Sequence, residues 1–200
     1  SSLKKVDQNS FKITKIRSGT KCYDWTFPKE WVIKDAYLKF NNKRIIDFKK
    51  NNLHVVNYSN PINLRNVNLK IIKKYLNYDK SLKNAIPYIT SYYKKKVGLC
   101  LSFNKYTKLK EGKYSLKIDS KFKNGFSYFG EYLIKGSSKK EVFFSTYLCH
   151  PSMANDNLSG VILTALIAKE ILRKKNLKKS YRIIWVPETI GAIAYCKNNE

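Results

Sequence analysis

The chain holds 200 residues, which suffices for one domain of ordinary size or for one domain with part of another. Its 40 basic and 14 acidic residues give a formal charge of +26. No run of about 18 apolar residues occurs, which excludes a membrane-spanning helix, and Cys22, Cys100, Cys149 and Cys196 have neither CxxC spacing nor the density of a disulfide framework.

Residues 1–20 are polar and basic, and Ser10-Phe-Lys-Ile-Thr-Lys-Ile16 alternates in the manner of a strand. From Tyr23 to about Ile134 the chain is rich in aromatic and β-branched residues. Strands are expected at Trp31–Leu38, Arg44–Phe48, Leu53–Tyr58, Leu99–Phe103 and Tyr114–Ile118. Turn signals separate them at Asn41-Asn42, Glu111-Gly112 and Asn124-Gly125. One helix is expected over Leu69–Leu76, where Leu69, Ile72 and Leu76 share a face.

The pattern then changes. Glu141-Val-Phe-Phe-Ser-Thr-Tyr-Leu148 is nearly continuous apolar sequence, as a buried strand would be. Gly160–Leu172 is long enough for a helix and apolar on most sides, with Arg173 and the lysines after it suiting its carboxyl end. Tyr181–Val186 reads as a second buried strand, closed by Pro187. Strand, helix and strand within about 45 residues predict a βαβ unit whose two strands are parallel with a right-handed crossover.

In such a sheet, ligands bind beyond the carboxyl ends of the strands. His150 follows the first strand by two residues, Glu188 follows the second by two, and Asp156 lies just before the helix. An imidazole and a carboxylate suit Zn²⁺, which keeps an open position for water at catalytic sites. Glu188 would then be placed to take a proton from that water, and Asn155 and Asn157 could orient ligands or substrate. Each residue also has a plainer reading. A histidine after a strand is often a packing residue, Asp156 or Ser159 would cap a helix, and Pro187-Glu188 would open one. Their coincidence at two adjacent strand ends favours a site. His54 reads as structural, and Ser152 and Ser159 lack the G-x-S-x-G elbow and a second available histidine. A Cys149–His150 nucleophilic pair is disfavoured, because adjacent side chains on an extended chain diverge.

Asp156-Asn-Leu-Ser-Gly160 resembles the D-N-x-S-G segment of the co-catalytic, dinuclear zinc aminopeptidases. More closely, Cys149–Gly160 together with Pro187-Glu-Thr-Ile-Gly-Ala-Ile-Ala-Tyr195 resembles an aminopeptidase-like family often encoded near surface-polysaccharide biosynthesis genes. Asp24-Trp25, Phe27-Pro28 and Pro87-Tyr-Ile-Thr-Ser-Tyr-Tyr93 are similar to that family's β-rich inserted module, so the likeness runs from about residue 17 onward. It implies an α/β fold, a partial zinc-aminopeptidase-like parallel sheet with helices, interrupted by the mostly β module. The expected division is 1–20 and 131–200 for the peptidase-like domain and 21–130 for the insert.

Carried over by residue, the resemblance implies His150 and Asp156 as metal ligands, zinc as the cofactor and Glu188 as the general base. Thr189 stands where the dinuclear enzymes have a second, ligating Glu, which points to one metal rather than two. Those enzymes also take a later Asp and His from beyond the second turn. The Ser-Ser start and the Asn198-Asn199-Glu200 end lead us to expect a fragment or processed product. Two protein ligands fall short of the three or four a zinc site wants, so this chain alone is expected to be inactive and to bind metal weakly.

The implied partner is a peptide or amide small-molecule substrate. Of the 40 basic residues 35 are Lys, spread along the chain, whereas nucleic-acid readers favour Arg, so no nucleic-acid partner is expected. No membrane partner is expected, a homo-oligomer is left open, and cysteines of this pattern suit reduced thiols in a cytoplasmic protein. The alternative is a non-catalytic accessory protein on a peptidase fold, serving surface-polysaccharide biosynthesis.

Overall fold

The computed structural model describes residues 11–92, 94–150 and 153–200. They form two compact units, one built from the described residues up to Glu30 and from Asn124 to Glu200, the other from Trp31–Lys123. The unit boundaries lie at Glu30/Trp31 and Lys123/Asn124, inside the 21–130 span read from sequence. Hydrogen bonding accounts for the difference. Strand β1 (Phe11–Arg17) and the short hairpin β2 (Lys21–Cys22) and β3 (Trp25–Thr26) belong with the later residues 126–134, which pair along β1 from Phe11↔Tyr132 to Arg17↔Phe126.

The second unit begins with β4 (Glu30–Phe40) and β5 (Lys43–Asp47), joined through Asn41-Asn42, whose positive φ values of 46° and 63° suit a tight turn. After β6 (Ile62–Asn68), Leu69 and Ile72 bury one face of the single-turn helix α1 (Leu69–Ile72), which tightens and runs into β7 (Leu76–Asn77). Strand β8 (Leu99–Cys100), helix α2 (Phe103–Thr107) and β9 (Lys113–Lys123) complete it. The main sheet has the order β5-β4-β9-β6, and β7 pairs with β8. Along β9 Tyr114, Leu116 and Ile118 alternate inward against Leu38, Ile46, Leu69, Ile72 and Leu99, a period of two that buries one sheet face.

Two expected strands are not there in full. Leu53–Tyr58 begins as a 3-10 turn, because the Asn51 side chain accepts a hydrogen bond from the Leu53 N–H and caps it; beyond it Val55 and Asn57 make only isolated bridges, to Leu99 and Thr90. Leu99–Phe103 is a strand for two residues, after which Ser102 caps α2 by accepting from the Lys105 N–H.

The first unit resumes with β10 (Phe126–Ile134), β11 (Glu141–Tyr147), α3 (Ser159–Leu172), β12 (Ser180–Val186) and α4 (Ile190–Lys197). The sheet order is β1-β10-β12-β11. It is mixed: β11 and β12 are parallel, as the βαβ reading requires, whereas β10 is antiparallel to both β1 and β12. Ile183 and Trp185 face α3, packing with Tyr132, Ile134, Ala168 and Ile171. Ile184 and Val186 face the other way, against Phe129, Ala194 and Tyr195. The expected burial of β11 is not seen. It is the edge strand, with Phe143 49% exposed, and Ile162, Leu163 and Leu166 of α3 are exposed too. Apolar sequence reports a preference for burial without naming the neighbour that supplies it. No described helix is long and apolar enough to cross a membrane.

Arg182 ties the three strands of the α4 face together. From the central β12 it reaches Glu141 on β11 through Nε and Nη2 (2.6 and 2.7 Å) and Glu131 on β10 through Nη1 (2.7 Å). The fork geometry and partial burial make this stronger than an exposed ion pair. The Glu141 carboxyl is held below its ordinary value, chiefly by its hydrogen bond from Arg182. Arg182→Ala should therefore lower stability in urea by roughly 1–3 kcal/mol, and Arg182→Lys, which keeps the charge without the fork, should recover only part. A depressed carboxylate stabilises above its unfolded value and loses that contribution as pH falls through its folded one. The gap between wild type and Arg182→Ala should hence narrow below about pH 4; a gap independent of pH would contradict this role.

Candidate metal centre

The parallel pair sets the geometry. Tyr147 at the end of β11 lies opposite Val186 at the end of β12, and the Leu148 N–H donates to the Val186 carbonyl at 2.8 Å. Past this bond both chains leave the sheet at the same edge. His150 Nε2 comes to 3.0 Å from Glu188 Oε2 and 3.9 Å from Asp156 Oδ1. The imidazole is mostly covered, with 14% of its side chain exposed, while Asp156 and Glu188 are about half exposed at 48% and 50%. The three residues singled out in the sequence thus stand together. Pro151 and Ser152 lie outside the described residues.

Asp156 sits in a π-type turn, Ala154–Leu158, that leads into α3. Its backbone is not helical (φ −109°, ψ 93°), and neither this turn nor α3 has a side-chain cap. The capping reading therefore fails for Asp156, and its carboxylate is directed to the site. There the Tyr147 hydroxyl donates to Asp156 Oδ1 at 2.5 Å. This bond is the first cause that pushes the Tyr147 hydroxyl up to about 12, so it stays a neutral donor at ordinary pH. The Tyr147 ring also meets the His150 ring edge-on at 5.8 Å. Gly160 lets the first turn of α3 lie against β11, since a Cβ there would come within 2.5 Å of Thr146 Oγ1.

Glu188 is positioned by an unusual turn. Thr189 has φ 57° and ψ −69°, and the Ile190 N–H donates to the Glu188 carbonyl at 2.6 Å. Those features define a classic γ-turn, a rare and strained conformation for a β-branched residue. Glu188 is outside the first turn of α4, so it is not a helix-opening acid. Gly191 closes the turn: its N–H donates to the Pro187 carbonyl at 3.0 Å, and a Cβ on it would fall 2.4 Å from Pro187 Cδ.

Cys149 joins the group, contrary to its expected divergence from His150. Its sulfur lies 4.0 Å from Glu188 Oε2, and Cys149, His150 and Glu188 present ligand atoms all within 4.8 Å of one another. The divergence rule holds for extended chain, and β11 has already ended at Tyr147. Burial pushes the Cys149 thiol up, the reverse of an activated nucleophile. Asn157, buried at 5% exposure, donates through Nδ2 toward the sulfur at 3.7 Å, whereas Asn155 is exposed and accepts from Ser159 through its carbonyl. Tyr147 and Cys149 were missed as site residues. Both flank the His150 segment, but only the end of β11 determines which way they turn. His54 is structural: it is buried in the other unit, donates from Nδ1 to the Cys100 carbonyl at 2.7 Å, and is depressed by burial. All four cysteines are free, two of them buried.

A histidine and a glutamate beyond the ends of two parallel strands, with an aspartate from the turn before α3, thus form one cluster. The model of the domain of unknown function DUF4910 matches residues 1–200, and the chain belongs to that family. It is 48% identical over 190 residues to a Clostridium acetobutylicum protein assigned to polysaccharide biosynthesis with an aminopeptidase-like domain, and spans 94% of this chain but 43% of that protein. A crystal structure from C. acetobutylicum, assigned as a peptidase, aligns with TM-score 0.89 and 46% identity over 94% of this chain and 44% of the other. The zinc aminopeptidase BSAP of Bacillus subtilis aligns with TM-score 0.54 and 13% identity, covering 94% of this chain and 54% of its own. A peptidase M28 precursor from Shewanella amazonensis gives 0.53 and 12%, covering 94% and 58%. At such identities the last two show the shared fold alone. The chain thus spans under half the length of the two C. acetobutylicum proteins it matches.

Gly191→Ala should force the Pro187 ring and the Glu188 turn apart, lowering stability by roughly 1–3 kcal/mol, read as a reduced urea midpoint. Thr189→Gly should instead hold or raise the midpoint, because glycine adopts the positive φ without the penalty threonine carries. A marked loss in Thr189→Gly would show that the turn stores no strain.

Proposed function

We propose that the chain supplies the metal-binding strand ends of a zinc-dependent, aminopeptidase-like hydrolase that cleaves amide or peptide bonds with an activated water. The observation that carries this reading is the convergence of His150, Asp156 and Glu188 at the adjacent ends of β11 and β12. The donors fit the ion, being an imidazole nitrogen and carboxylate oxygens of the kinds zinc takes, with Asp156 not spent as a cap. Zinc bound there would polarise the substrate carbonyl and make water a stronger acid.

His150 and Asp156 are the proposed holders of the ion. The Tyr147 hydroxyl fixes the rotation of the Asp156 carboxylate. Glu188, half exposed and 3.0 Å from His150 Nε2, accepts the proton of the attacking water. In this reading residues 21–130 are a β-rich insert in the peptidase-like domain formed by 1–20 and 131–200. A second reading, a non-catalytic accessory role in polysaccharide biosynthesis, draws on Thr189 in place of a ligating Glu and on the assignment of the C. acetobutylicum relative.

The test uses a form of the protein extended to the length of its relatives. Zinc content is measured alongside hydrolysis of amino-acid amides, for the wild type and Glu188→Gln. The variant should keep its zinc and lose at least about a hundredfold in turnover. Unchanged turnover in the variant, or a wild type without zinc, sinks the hydrolase reading; zinc without turnover in the wild type establishes the accessory one.

A further inference from the structure

We propose that the second unit carries a binding cavity of its own for a small amphipathic anion, an apolar body ending in one negative headgroup. The cavity is lined wholly from within Trp31–Lys123, by the β4–β5 hairpin, α2 and the segment leading into β9, and measures about 450 Å³. That falls inside the range of about 300–1,000 Å³ typical of ligand sites. The cavity shares no residue with the strand-end cluster, so it is independent of the metal reading.

Ile46, Leu101 and Tyr114 form its floor, all of them buried. Phe40, Ile45 and Leu109 form its sides; the Phe40 and Tyr114 rings lie 4.7 Å apart, and Ile45 is left 36% exposed. Gly112, at φ 147°, lets the approach to β9 close on Phe40, since a Cβ there would fall 2.8 Å from Phe40 Cε2. The Tyr114 hydroxyl is the one polar side-chain atom of this lining apart from the lysines, and it is already used: it donates to the Lys110 carbonyl at 2.6 Å. The interior side chains therefore offer a ligand apolar contact alone.

The mouth is cationic. Lys105 on α2, with Lys108 and Lys110 just after it, are exposed and line the same cavity, and no carboxylate does. Among the described residues none of these three ammonium groups makes a salt bridge. The acids beside the lining in sequence do not answer them: Asp47 pairs with Arg44 at 3.0 Å, and Glu111 is outside the lining. A purely apolar ligand would leave the three charges unpartnered beside a dehydrated surface, and a cationic one would add repulsion. Charge complementarity thus selects an anion joined to an apolar body. Ammonium groups act as point charges, so a carboxylate and a phosphate both suit them.

The chain is titrated by isothermal calorimetry with octanoate and octyl phosphate, and with octan-1-ol and octylammonium, which share their apolar body. One equivalent of anion should bind, the tighter of the two naming the headgroup, about tenfold more tightly than the alcohol or the amine. Lys105→Gln, Lys108→Gln and Lys110→Gln combined should remove that advantage. Lys94→Gln, Lys95→Gln and Lys96→Gln combined, an equal loss of charge outside the lining, should keep it. Ile45→Trp should fill the cavity and abolish binding, with circular dichroism confirming the fold. In the unchanged chain the Ile45 and Ile46 methyl resonances should shift as the anion is added. Equal affinity for the alcohol and the anions overturns the proposal, as does anion binding that survives the first triple substitution or leaves both methyls unmoved. No saturable binding at millimolar concentration overturns it too, and a dimer that Ile45→Trp dissociates would then assign the cavity to a second copy of the chain.

Discussion

The register of β11 on β12 is the constraint on which the site depends. Because Tyr147 lies opposite Val186, the two strands finish level, and residues two or three positions further on emerge side by side. A slip of one residue would turn every side chain of β12 to the opposite face. Ile183 and Trp185 would then leave the α3 side and Ile184 and Val186 the α4 side, dismantling both halves of the core. The packing of the unit thus fixes the placement of His150 and Glu188, although neither residue belongs to the two halves of the core. Arg182 reinforces the same register in the polar part of the sheet, since its guanidinium bonds to Glu141 and Glu131 from a single position.

Past the strand ends, local backbone features take over from the sheet. Gly160 allows α3 to start against Thr146, and that start carries the Asp156 turn toward the β11 end. Gly191 allows α4 to start against Pro187, and the γ-turn at Thr189 aims Glu188 back at the same edge. Both glycines of the motifs are therefore explained by close approach. The two candidate carboxylates are held by these helix starts, so Asp156 and Glu188 can remain half exposed while their backbones are fixed.

How far the sequence disclosed this varied with the range of the interaction. The βαβ unit was legible because its strands and helix are long apolar runs with clear punctuation at Gly160 and Pro187, and His150, Asp156 and Glu188 follow from it. The module around β4 and β9 was legible through alternation, as at Tyr114, Leu116 and Ile118. Leu53–Tyr58 was misread because one side-chain hydrogen bond from Asn51 redirects a β-prone run. The unit boundaries depend on β10 pairing with β1 more than a hundred residues earlier, a contact no local window contains. Cys149 was set aside by a rule for extended chain that ceases to apply after Tyr147.

Charge sets the strand-end cluster apart from the rest of the chain. Elsewhere the chain carries 40 basic residues against 14 acidic ones, so its field favours anionic groups approaching from solvent. A compact cluster of thiol, imidazole and two carboxylates is a local exception to that field, and it occurs where the two parallel strands end.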